Sequence, residues 1–289
     1  MPQNQKDNIV LSYYIVDWDD NILHMDTKII MEKLVDGNWV ETPVSTTDFA
    51  SFRKDPIYRI PLMDDGTPDF TKAYSNFRDN ETGSMFLNDV IDAITNKRFA
   101  PSYEAFKKCL VSGKLFAIVT ARGHEPLTIR RAIEYFIDSQ LTREEKNQMK
   151  SNLLHYYKMF NVEIGDNNTL LDNYLSLCEY IGVTSDYFIS SISPDMIPEG
   201  ETFTPNNTEL SKKIAVASFS KRCIQYGDKL KDKDVTIKVG FSDDDKHNIK
   251  SIVELFVNNL KGNYPEVEFS IFDTSKNDDG SKNYKEIVI

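Results

Sequence analysis

Three short apolar runs, each cut off by a cluster of polar residues, set the limits on what this chain can fold into. They are Ile9 to Val16 (IVLSYYIV), Leu115 to Val119 (LFAIV) and Val235 to Phe241 (VTIKVGF). Each is rich in β-branched and aromatic residues and nearly continuous rather than alternating, as in strands covered on both faces. Between them the apolar residues recur at spacings of three and four, the period of a helix with one buried stripe. Strands alternating with helices imply a parallel sheet joined by crossovers. The expected fold is therefore α/β, a Rossmann-like parallel sheet with helices on both faces. In such sheets chemistry gathers in the loops after the carboxyl ends of the strands.

The rest of the chain is fitted around those strands. Residues 28–48 read as two strand runs around Asp36-Gly37, a hairpin signal. Residues 50–82, punctuated by Pro56, Pro61, Asp65-Gly66 and Pro68, read as irregular loop. Helical spacing begins at Phe86 with Val90 and Ile94, and continues through Tyr103, Phe106 and Leu110. It returns after the second strand with Leu127, Ile129, Ile133 and Phe136. Residues 138–182 read as helical, Tyr187 to Ile192 as a short strand, and 193–208 as loop. A helix over 210–226, a helix from Ile249 to Leu260 and a strand from Val267 to Phe272 follow, and the last residues read as frayed. The expected organisation is a core from residues 1–25 and 100–289, a β-hairpin and irregular cap at 26–99, and a helical insertion at about 138–205.

Composition narrows the classes of function. The formal net charge is −11, which opposes a broad grip on nucleic-acid backbone but permits a local phosphate pocket. Cys109, Cys178 and Cys223 are scattered and odd in number, so neither a disulfide framework nor a zinc site is expected. The polar start MPQNQKDNIV resembles no signal peptide, and no apolar stretch approaches the ~18 residues of a membrane span. The expected location is cytoplasmic, where the triplets at Asn80, Asn167 and Asn206 carry no glycan.

The polar clusters are chemically specific. The first run leads into Asp17-Trp18-Asp19-Asp20-Asn21, the second into Thr120-Ala121-Arg122-Gly123, the third into Ser242-Asp243-Asp244-Asp245. Lys212-Lys213 stands near the start of the helix before the third strand. Carboxylates gathered from two strand ends repel unless a cation joins them, and hard oxygen ligands suit Mg²⁺. A carboxylate can attack phosphorus, a second can protonate the leaving oxygen, and a hydroxyl and an ammonium can stabilise the developing charge.

This set resembles the four motifs of the haloacid dehalogenase-like (HAD) superfamily of phosphohydrolases. The resemblance covers roughly residues 9–25 and 112–255. It implies Asp17 as nucleophile, Asp19 as general acid and base, Thr120 as the hydroxyl and Lys212 as the ammonium. It also implies Mg²⁺ held by Asp17, the backbone carbonyl of Asp19, and Asp243 with Asp244. Arg122, with Ala121 beside it, is placed at the substrate phosphate, since its fork suits bidentate contacts. Three departures stand out: Asp20 where Gly is common, Asn21 in place of Thr or Val, and three adjacent acids in the fourth motif. The choice between Asp243 and Asp244 as direct ligand, and between Lys212 and Lys213 as the site lysine, stays open, with Lys221 more distant.

Each motif has an ordinary reading as well. DWDDN alone is a solvated acidic turn. As a calcium loop it fails, because Ile22 and Lys28 stand where a glycine and an acid are required. SDDD alone is a helix cap with acids in the first turn. His24, His124, His155 and His247 share no ligand spacing, Trp18 reads as packing, and 273–280 (DTSKNDDG) reads as a surface turn. The expected function is a Mg²⁺-dependent phosphomonoesterase working through an aspartyl-phosphate on a small phosphorylated metabolite or nucleotide. A nucleic-acid 3′-end phosphatase and a non-catalytic HAD-like scaffold are the alternatives. Oligomeric state is not legible in the sequence.

Overall fold

The structure is a computed structural model that describes residues 9–79, 85–162, 169–205, 207–230, 234–275 and 285–289. In chain order its strands are β1 (Ile9–Val16), β2 (Ile29–Val35), β3 (Asn38–Val44), β4 (Tyr58–Arg59), β5 (Phe116–Thr120), β6 (Glu179–Gly182), β7 (Val235–Asp243), β8 (Glu268–Asp273) and β9 (Lys285–Val288). Its principal helices are α1 (Thr46–Phe52), α2 (Phe70–Ala73), α3 (Phe86–Thr95), α4 (Tyr103–Val111) and α5 (Pro126–Gln140). They continue with α6 (Arg143–Met159), α7 (Thr169–Leu177), α8 (Asp186–Ser191), α9 (Thr208–Asp228) and α10 (Lys246–Leu255).

The main sheet has six strands in the order β6-β5-β1-β7-β8-β9, all parallel except the antiparallel edge pair β8-β9. The chain leaves β1 toward β5 and β6, then crosses back to lay β7 and β8 on the other side. β1 and β7 are therefore neighbours whose onward connections run in opposite directions, which opens a crevice at their carboxyl ends. Their register pairs Val16 with Ser242, so Asp17 and Asp243 emerge side by side.

Apolar side chains fill both faces of the sheet. On one, Val16, Phe116 and Ile118 pack under α3, α4, α5, α6 and α7 through Phe86, Phe106, Ile133, Phe136, Leu153 and Tyr174. On the other, Ile15, Val119, Val239 and Phe241 pack under α8, α9 and α10 through Phe188, Ile214, Phe219 and Ile252. Trp18 is fully buried, edge-on to Phe86 at 5.6 Å and Phe106 at 6.4 Å, as its packing role requires. Cys109, Cys178 and Cys223 are buried free thiols.

The hairpin forms as read: β2 and β3 pair across Asp36 and Gly37, whose φ angles of 48° and 82° suit a tight turn matching the strand twist. With β4 it makes a separate three-stranded sheet. Later residues of the 26–99 segment leave that sheet, and α3 buries Phe86, Val90 and Ala93 in the main core.

Four expectations need correction. The 138–205 segment is not purely helical, because Glu179–Gly182 adds β6 to the main sheet beside β5; four residues are too few to show a period. Tyr187 to Ile192 is helix α8 rather than strand, started by Ser185, whose hydroxyl accepts from the Phe188 amide at 3.1 Å. The loop at 50–82 holds α2 and β4. The last residues are not frayed: β9 pairs antiparallel with β8. The asparagines of the three triplets, Asn80, Asn167 and Asn206, and residues 276–280 of the expected surface turn, lie outside the described residues. Among the described residues no helix is long and apolar enough to cross a membrane.

Candidate active site

The acids of the first and third clusters meet at the crevice between β1 and β7. The Asp17 amide donates to the Ser242 carbonyl at 2.9 Å, extending the ladder by one rung past the end of β1. Carboxylate oxygens of Asp17, Asp243 and Asp244 lie within 4.8 Å of one another. Lys212, buried on α9, places its Nζ 2.8 Å from Asp17 Oδ1 and 2.7 Å from Asp243 Oδ2. Lys213 points away and pairs with Glu201 at 3.1 Å, so the lysine of the site is Lys212.

The three adjacent acids have separate tasks. Asp243 is buried and fixed: its Oδ1 accepts from the Asp245 amide at 2.9 Å and from Asn248 Nδ2 at 3.2 Å, while Oδ2 faces Lys212. Asp245 caps α10, accepting from the His247 amide at 2.7 Å. Asp244 completes the triad with Asp17 and Asp243.

Beneath this cluster Asn21 is a fully buried hub. Its Nδ2 donates to the carbonyls of Asp17 at 3.0 Å and Ser242 at 3.1 Å. Its Oδ1 accepts from the hydroxyls of Ser102, Ser242 and Thr274 at 2.8 to 3.0 Å. The same side chain thus ties together the backbones that carry Asp17 and Asp243. Asp20, at the usual glycine position, has φ of 54°, a left-handed conformation that Asp tolerates better than most residues.

Asp19 lies to the side of the triad. Arg122 grips both of its oxygens, Nε to Oδ2 at 2.8 Å and Nη2 to Oδ1 at 2.6 Å, and the Thr120 hydroxyl stands 3.4 Å from Oδ2. Arg122 is 1% exposed. Its fork therefore faces Asp19 rather than the substrate position expected for it. Ala121 is exposed at the turn after β5, its carbonyl accepting from Thr184 Oγ1 at 3.1 Å.

Of the four histidines, His24 pairs with Asp20 at 2.7 Å, and His124 is buried against Asp79 at 3.1 Å. The His247 amide serves the α10 cap, and the His155 ring contacts Tyr156. Asn21, Ser102, Thr274, Asn248, Thr27, Asp79 and Asp89 are site residues that sequence reasoning did not assign. Asn21 was visible only as a departure from a motif, Asn248 only as a polar residue after an acidic cap. The others come from distant segments and carry no local signal.

Charge is unbalanced at the triad. Burial, together with Asp243, Asp244 and Asp19, pushes the Asp17 carboxyl well above the usual range against the pull of Lys212. Burial and the Asp243 and Asp20 carboxylates push Asp244 up to about 7. For Lys212 burial pulls downward, but Asp17 and Asp243 outweigh it and hold the ammonium protonated. Three carboxylates facing one ammonium, all offering oxygen, form a donor set suited to a hard divalent cation. Comparison of the chain with family models, curated proteins and solved structures finds no significant match.

Proposed function

We propose that this chain is a Mg²⁺-dependent phosphomonoesterase of the HAD-like superfamily, with Asp17 as its nucleophile. The observation that carries the reading is the convergence of Asp17, Asp243, Asp244 and Lys212 at the crevice where β1 and β7 end side by side. Asp17, Asp243 and Asp244, with the carbonyl of Asp19, would hold Mg²⁺, which supplies neutralising charge for a phosphate dianion among acids.

Asp17 attacks phosphorus with a carboxylate oxygen as the bond to the leaving oxygen breaks, giving an aspartyl-phosphate. Asp19 hands a proton to the departing oxygen. The carboxylate so formed then takes a proton from the water that attacks phosphorus, and the bond to Asp17 breaks to release inorganic phosphate. Lys212 keeps Asp17 oriented and offsets charge on the transferring group. Asn21 holds the two strand ends in register, and Asp243 is preorganised by Asn248 and the Asp245 amide. The net charge of −11 and the acidic mouth favour small phosphate monoesters over nucleic-acid ends.

The test is a phosphatase screen with Mg²⁺ against sugar phosphates, nucleotides and 3′-phosphorylated oligonucleotides. Wild type is expected to turn over at least one small monoester, and Asp17→Asn none. Equal activity in Asp17→Asn removes Asp17 from the mechanism.

A further inference from the structure

Asp19 is the half-buried partner of a buried cation, and the support for that cation comes from far away in the chain. The Asp19 side chain is 28% accessible, while that of Arg122 is 1% accessible. The guanidinium carbon sits 4.8 Å from the Phe77 ring centroid and 5.0 Å from that of Phe86, so aromatic faces flank it. Nη2 also donates to Thr27 Oγ1 at 2.7 Å, and the Thr27 hydroxyl donates onward to Asp89. Nη1 approaches His124 Nε2 at 3.5 Å. The neighbouring backbone is tied down as well: the Gly123 amide donates to the Phe77 carbonyl at 2.9 Å, and Asp79 accepts from the Glu125 amide at 2.9 Å.

Thr27, Phe77, Phe86 and Asp89 all belong to the 26–99 segment that follows β1. That segment therefore builds the socket in which Arg122 is fixed. An arginine held on both flanks, with Nη2 also bound to Thr27, presents its Nε–H and its second Nη2–H in one direction. A lysine, a single point of charge on a flexible stem, cannot hold both oxygens of a carboxylate in one plane.

We propose that Arg122, seated in this socket, is a positioning residue that acts through Asp19. It fixes the Asp19 carboxyl where that group meets the leaving oxygen, and the 26–99 segment thereby controls the proton transfer. This inference rests on the phosphatase reading given above. Arg122 is buried with its fork turned to Asp19, so its effect on the rate passes through Asp19.

Leaving-group dependence tests this directly. A weakly basic leaving group departs without a proton, whereas a more basic one needs Asp19 in place. The quantity to compare is kcat/KM, which ends with formation of the aspartyl-phosphate, for p-nitrophenyl phosphate and phenyl phosphate with Mg²⁺ present. General acid catalysis contributes roughly 10²- to 10⁴-fold, and a misplacement of about 1 Å can remove on the order of 10²-fold. For Arg122→Lys we expect a loss with phenyl phosphate about tenfold larger than with p-nitrophenyl phosphate, at matched folded fraction by circular dichroism. In the background of Asp19→Asn, the Arg122→Lys change is expected to add nothing for phenyl phosphate. Thr27→Val, which leaves the charges intact, is expected to show the same ester preference with smaller size, and it serves where Arg122→Lys does not fold.

Equal losses on both esters, or additive losses in the double variant, overturn the positioning role. Asp17→Asn measured alongside separates the two failures. If Asp17→Asn is inactive while the Arg122 and Thr27 variants show no ester preference, only this inference falls. If Asp17→Asn turns over like wild type, or wild type hydrolyses neither ester, the phosphatase reading falls and takes the inference with it.

Discussion

Asp17 and Asp19, two of the three acids of DWDDN, each face a buried cation, and the two surroundings differ in a way that separates chemistry from support. Lys212 sits among Asp17 and Asp243 with Asp244 close by, so negative charge is in excess and the Asp17 and Asp244 carboxyls are pushed upward. Arg122 sits between two aromatic rings with its fork on Asp19, and its Nη2 also donates to Thr27. The first surrounding is unsatisfied and gains from a further positive charge. The second is balanced and rigid. Excess charge in a crevice marks where a cation and a phosphoryl group can be accommodated; balanced charge in an aromatic socket marks where a side chain is held still.

The largest expected effect is at the unbalanced side. Asp17→Asn should lower phosphatase turnover by at least ~10³-fold, since the nucleophile itself is removed. It should not lower the melting temperature at pH 7, because the amide relieves crowding among buried carboxylates. A drop of several degrees would show that Asp17 is a structural ion-pair partner instead.

Lys212→Met should come next. It leaves two buried carboxylates uncompensated, for about 3–5 kcal/mol of destabilisation by urea unfolding. Millimolar Mg²⁺ should restore part of that loss, and identical curves with and without Mg²⁺ would argue against a shared ion.

Asn21→Leu should destabilise by about 3 kcal/mol, because two strand-end carbonyls and three hydroxyls lose a buried partner. A change within experimental error would mean that those groups find other partners, and that the register of Asp17 and Asp243 does not depend on Asn21.

The smallest effect belongs to the balanced side and is read through pH. Burial, reinforced by Arg122, pushes the His124 ring from 6.5 down to about 4, so the folded state holds it neutral. The unfolded chain then binds more protons between those values, and stability is full above about 6.5 and falls as the pH drops toward 4. Asp79, beside His124, is held below the usual carboxylate range by its hydrogen bonds despite burial, so its contribution is lost in the same direction at lower pH. Between pH 7 and pH 5 wild type should lose about 2 kcal/mol more than His124→Gln. Parallel pH profiles for the two proteins would contradict the neutral, buried assignment.

The elements that sequence made legible are those whose cause is local. IVLSYYIV, LFAIV and VTIKVGF became β1, β5 and β7 because a run of β-branched and aromatic residues admits few other uses, and their abrupt polar ends carry the site. Asp36-Gly37 gave the hairpin because the turn needs two left-handed residues. Asp17 and the pairs Asp243-Asp244 and Lys212-Lys213 are legible because strand ends and a helix start fix where such groups go, while the choice within each pair needs the structure, where Lys213 turns to Glu201. What escaped was set by tertiary context. EYIG becomes β6 only by pairing with β5, and β9 only by pairing with β8. YFISSI was misread because its apolar residues outweighed the Ser185 cap. The task of Arg122 depends on Thr27, Phe77 and Phe86, which no spacing in the sequence relates to it.

The proposed chemistry requires Asp17, Asp243 and Asp244 to share one divalent cation, and calorimetric titration of Mg²⁺ into wild type, Asp243→Asn and Asp244→Asn measures that directly. The expected result is one saturable site per chain in wild type, weakened at least ~10-fold in each variant, in line with loss of a charged ligand. Absence of saturable binding in wild type, or an affinity unchanged by either substitution, would contradict it.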